Sequence, residues 1–111
     1  MSGKFEVSKR NNGEFQFHLK AGNGQIILSS EGYSARASCL NGVESVRKNS
    51  QDDSRYERKI ASNDKPFFNL TATNGQVIGS SQMYADEAGR DNGIASVKSN
   101  AAEAELVDLT G

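Results

Sequence analysis

The chain of 111 residues contains no tryptophan, one proline, one cysteine and one histidine. Each scarcity removes a class of protein. A single cysteine, Cys39, can form no internal disulfide and no cysteine-rich metal site, and it suits a reducing compartment. A single histidine, His18, leaves a metal without the converging ligands it needs and a nucleophile without an oriented base, so no catalytic residue, metal or cofactor is assigned and an enzyme is not expected. No apolar run approaches the roughly eighteen residues that cross a bilayer, and Met1 to Lys4 lead straight into Phe5-Glu6-Val7 without a basic and then apolar leader. The expected location is therefore the cytoplasm, away from membranes.

Charge of one sign is lacking too. Thirteen basic and fourteen acidic residues leave a net charge of −1, with no block of like charge. Nucleic-acid and membrane-surface proteins draw much of their affinity from a basic excess or stripe, which this chain does not have. Gly22-Asn23-Gly24 is no phosphate cradle, since a strand pattern follows it where a cradle opens onto a helix.

What the chain has is an internal repeat. Shifted by 51 residues, positions 56–104 fall on 5–53 without a gap, and 18 of the 49 pairs are identical. Two separate domains of about fifty residues would each be marginal, so the copies are expected to share one core. The reading is one domain over residues 1–111, made of repeats 5–53 and 56–104 plus a closing strand near 105–109.

Alternation marks the strands. Phe5 and Val7 alternate with Lys4, Glu6 and Ser8, and Phe15, Phe17, Leu19 and Ala21 alternate with Glu14, Gln16, His18 and Lys20, the period of a half-buried strand. Asn11-Asn12-Gly13 and Gly22-Asn23-Gly24 supply the turns. The third strand, near 25–29, has two registers open: a two-residue turn puts Ile26 and Leu28 on the face of Leu19, and a longer turn with a bulge puts Ile27 there. A helix from Ser34, its expected N-cap, to about Asn49 carries the small residues Ser38, Gly42, Ser45 and Asn49 beside Val43 and Val46. Gly42 implies either close approach of the helix to a neighbour or a kink at Asn-Gly. The Cys39/Leu40 side reads as peripheral, Cys39 as a partly buried, inert thiol. The second copy repeats the order, with strands near 55–60, 66–72 and 76–79 and a helix near 85–100. Pro66 opens its strand, and Asp86 and Glu87 place negative charge in the first helical turn. Phe5-Glu6-Val7, Tyr56-Glu57-Arg58 and Val107-Asp108-Leu109 echo one another, which implies a last strand. Arg90 and Asp91, standing where the first copy has Cys39 and Leu40, are the sharpest asymmetry.

The turn Leu19 to Gln25, the Ser30-Glu31-Gly32-Tyr33 run and Asn41-Gly42-Val43-Glu44-Ser45-Val46 resemble the YegP-like family of small, mostly bacterial proteins of unassigned function. The second copy departs from that pattern, with Gln82-Met83-Tyr84 and Ile94-Ala95. The resemblance implies an α+β fold of tandem β-β-β-α-β repeats sharing one mainly antiparallel sheet, two helices on one face and closing strands exchanged between repeats. It implies no activity.

Function is therefore sought on a surface. If the helices cover one face of the sheet, the other presents Gln16, His18 and Lys20 and, at equivalent positions, Phe67, Asn69 and Thr71. The leading expectation is a non-catalytic interaction module for an unknown protein partner, monomeric as a covalent pseudo-dimer. The alternative is a nucleic-acid or small-ligand binder on the same face, using Arg10, Lys20 and Phe67.

Overall fold

The computed structural model describes residues 3–110. In order they form β1 (Lys4–Lys9), β2 (Phe15–Lys20), β3 (Ile26–Ser29), α1 (Arg36–Asn49), a 3-10 turn (Asp53–Arg55), β4 (Tyr56–Ile60), β5 (Pro66–Thr71), β6 (Val77–Ser80), α2 (Glu87–Ala101) and β7 (Glu105–Asp108). The seven strands make one sheet in the order β4-β5-β6-β3-β2-β1-β7, antiparallel except for the parallel pair β1 and β7.

The two repeats meet at the centre of this sheet, where β3 and β6 pair through Ser29 and Ser80 on a pseudo-two-fold axis. The strand that follows each helix lies in the other repeat's half: β4 pairs with β5, and β7 with β1. The exchange is uneven. β4 holds in the second half the place that β1 holds in the first, whereas β7 is added outside β1. Among the described residues, the outer edge of β4 carries no strand.

Alternation turns Phe5, Val7, Phe17, Leu19, Tyr56, Phe68 and Leu70 toward one layer, where all are buried under the helices. Each repeat builds the same aromatic triplet there. Phe5 meets Phe17 edge-on at 5.9 Å and Phe17 stacks on Tyr33 at 6.3 Å; Tyr56, Phe68 and Tyr84 do the same at 5.7 and 6.3 Å. The tyrosines occupy the room that the helical glycines leave. A Cβ on Gly42 would stand 2.6 Å from the Tyr33 hydroxyl, and one on Gly93 would stand 2.6 Å from Tyr84 Cζ. Both helices run unbroken through Asn-Gly, so close approach, not a kink, is the reason for the glycine.

The open register at β3 resolves as a bulge. Ala21 donates its amide to the Gln25 carbonyl at 2.9 Å, closing a loop whose Gly24 has φ +86°, a conformation glycine adopts without strain. Leu19 then opposes Leu28 while Lys20 opposes Ile26, so the extra residue is Ile27. Ile27 and Leu28 are both core residues, and Ile26 faces out. On the axis Leu28 is matched by Gly79, where a Cβ would lie 2.7 Å from Leu28 Cδ2; the core has room for one leucine there.

Two expectations need correction. Ser34 is not the N-cap of α1: the cap is Ala35, without a side-chain bond. Tyr33 is tied to Phe15 by two backbone hydrogen bonds of 2.7 Å, which holds the chain extended beyond Ser34. In the second repeat Asp86 is itself the cap, accepting the Gly89 amide at 2.7 Å. Cys39 is not peripheral but fully buried with Val43 and Val46, and burial pushes its thiol up from the ordinary range.

Candidate functional site

With both helices on one layer, the residues that alternate with the core form the open face. One row crosses it at the axis: His18 opposes Ser29, Ser29 opposes Ser80 and Ser80 opposes Asn69. His18 Nδ1 lies 2.9 Å from Ser29 Oγ, and Ser80 Oγ donates to Asn69 Oδ1 at 2.7 Å. His18 is half-buried and not a freely solvated strand residue. Burial holds its pKa below the usual histidine value, and the neighbouring Glu6 carboxylate opposes that shift.

Where β3 and β6 part on either side of this row, a shallow groove of about 360 Å³ opens. Its lining comes in equivalent pairs, Ile26 and Val77, Ser29 and Ser80, Ser30 and Ser81, Glu31 and Gln82, joined by Gly79. Ile26 and Val77 are 41% and 37% exposed, an apolar pair set among hydroxyls.

The other residues expected on this face differ in availability. Gln16 donates to the Ser30 carbonyl at 2.9 Å and accepts from Arg10 Nε. Lys20 is held by Glu6 at 2.9 Å. Phe67 is half-buried on the far half of the sheet. Thr71 is buried, its hydroxyl given to the Arg55 carbonyl at 2.9 Å, so it offers nothing to a partner. The structure thus brings His18 and Asn69 together through the serines and leaves Gln16, Lys20 and Phe67 at the flanks. Ser29, Ser80, Ile26 and Val77 were missed because the bulge hid which residues of β3 and β6 face out. Part of their signal was present, in that Ser29 recurs unchanged as Ser80 in the second copy.

Among the described residues there is no cluster of three or more side chains suited to a metal, and no helix long and apolar enough to cross a membrane. His18 and Ser29 form a base and hydroxyl pair, but the nearby Glu6 carboxylate is engaged by Lys20.

The fold and this symmetric face define a duplicated α+β domain. A family model, the domain of unknown function DUF1508, matches it twice, over residues 11–57 and 61–108. The chain belongs to the UPF0339 family, whose curated members of unassigned role match it end to end. A UPF0339 protein of Acinetobacter baylyi is 60% identical over 111 residues, with all of both chains covered. UPF0339 protein YegP of Escherichia coli K12 is 53% identical over 110 residues, with 99% of this chain and 100% of that one covered. The solution structure of yegP from E. coli, described as a protein of unknown function, superposes with a TM-score of 0.95 at 53% identity, covering 100% of this chain and 96% of that one.

Proposed function

We propose that the protein is a non-catalytic interaction module that receives an extended segment of a protein partner in the axial groove of the open face. The observation that carries this reading is the groove itself, where two exposed aliphatic side chains flank paired hydroxyls contributed equally by both repeats. Exposed apolar residues gathered beside satisfied polar groups suit recognition. The engagement of Glu6 by Lys20 supports a non-catalytic role, because a serine and histidine pair gains little without a third group to orient the base.

The nucleic-acid alternative has less support, since Lys20 is neutralised by Glu6 and Arg10 by Glu14 at 3.4 Å. The test is native mass spectrometry of the protein isolated gently from its own cells, wild type beside Ile26→Asp/Val77→Asp. Both side chains are exposed, so the variant should melt with the wild type. A bound polypeptide present on the wild type and absent from the variant is the expected result; the same mass on both removes the groove from the reading.

A further inference from the structure

The helix-covered layer carries a second concavity, independent of the groove just described. A cleft of about 210 Å³ opens where the turn between β2 and β3 of the first repeat meets α2 of the second. Its wall holds four primary amides, Asn23, Gln25, Gln82 and Asn92, and no charged side chain. Folding accounts for part of Asn23, whose Oδ1 accepts the Gln25 amide at 3.0 Å. The exposed side chains of Gln25 and Asn92 make no hydrogen bond among the described residues. On the same wall the Tyr84 hydroxyl is buried against Gly93, again with no partner among the described residues.

The repeat adds an observation that does not depend on the cleft's shape. Of its ten lining residues all but two recur unchanged 51 positions away, the exceptions being Gln82 for Glu31 and Gly89 for Ser38. Across the whole repeat only 18 of 49 pairs are identical. Packing explains retention of Gly93 and Ile27. It does not explain Gln25 and Asn92, whose counterparts Gln76 and Asn41 are also exposed and also unbonded among the described residues.

We propose that this cleft binds one neutral sugar ring, free or at the end of a glycan, through the amides of Gln25 and Asn92. A primary amide presents a donor and an acceptor side by side, matching vicinal hydroxyls. Ile27, Ala21 and the Tyr84 ring supply an apolar wall for the C–H face of such a ring. A cleft of about 210 Å³ offers room for one ring and not for a polymer. A wall without charge disfavours phosphates and carboxylates, which would be desolvated unpaired.

The test is an isotope-edited NMR titration of the full chain with glucose, N-acetylglucosamine and glucose 6-phosphate. Saturable shifts are expected with a neutral sugar at the side-chain amides of Gln25 and Asn92 and the backbone of residues 21–25, with His18 and Ser29 stationary. Gln25→Ala and Asn92→Ala, both at exposed positions, should each weaken binding about tenfold, the value of one good hydrogen bond, without changing the melting temperature. No saturable shift at tens of millimolar of either neutral sugar overturns the proposal. So does preferential binding of the phosphate, or a response confined to the open face.

Discussion

Gly93 and Tyr84 show how much of this fold rests on single atoms. Gly93→Ala drives a methyl into the Tyr84 ring at 2.6 Å, and the Phe68 edge closes the other side at 3.2 Å. Overpacking of this kind destabilises by about 1–3 kcal/mol, and alanine's better helix propensity returns about 1 kcal/mol of it. Denaturant titration should therefore show a net loss, and Tyr84→Phe should restore part of it in the double variant. Tyr84→Phe alone should be close to neutral, because the buried hydroxyl it removes makes no close hydrogen bond among the described residues and has only the Gln82 side chain near it to lose. His18 gives a pH dependence. Its folded pKa lies below the ordinary 6.5 mainly through burial, so below that value the unfolded chain binds the proton more readily. Stability is held above pH 6.5 and lost as the pH falls through the folded pKa. His18→Asn, the residue of the second copy, should flatten melting temperature against pH in that window; an unchanged slope would place the titrating group elsewhere.

Among the elements, β4 and β7 behave as opposites. Beneath the covered edge of β1 lie Val7, Cys39 and half-buried Leu40; the equivalents at the bare edge of β4 are Arg58, Arg90 and Asp91. Arg58 lies 3.4 Å from both Asp53 and Asp91, and Lys98 reaches Asp53 at 2.9 Å. Inward charge on an edge strand discourages the pairing its free amides would otherwise template. This accounts for the asymmetry at Arg90 and Asp91. Restoring the first copy's residues, Arg58→Val with Arg90→Cys and Asp91→Leu, should make the protein associate with rising concentration in analytical ultracentrifugation, while the parent stays at one mass. β7 itself is fastened by Asp108, which accepts from Thr110 and Arg36 and is held at about 2 for those reasons. Its contribution is present above the ordinary 3.8 and lost as the pH falls toward about 2, so backbone resonances of β7 should move before those of β2 in an acid NMR series. Period and turn chemistry made the strands, the helices and the repeat legible, because each is a local pattern. The bulge at Ile27, the burial of Cys39 and the partners of Arg58 were not, since each depends on which strand lies next to which across the whole sheet.

For the whole molecule the controlling fact is the axis. Leu28 fills it once, and Gly79 yields the space. Gly79→Ala should lower the melting temperature by more than a typical surface substitution does, and Leu28→Ala in the same chain should make the second change far less harmful, a coupling that a thermal double-mutant cycle would read. Simple additivity would mean that the halves do not press on each other there.

The shared strand between the repeats has a consequence for descent. A duplicated segment starts as two interchangeable texts, but one strand standing where two unlinked copies would have two gives the halves different neighbours from the moment of joining. Positions 7, 39 and 40 then answer to a covered border and positions 58, 90 and 91 to an open one. The same letter could no longer serve in both places, so part of the divergence between the copies is dictated by position and not by drift. Order has become part of the message: writing 56–104 ahead of 5–53 would set charges under the closing strand and leave an oily margin facing water.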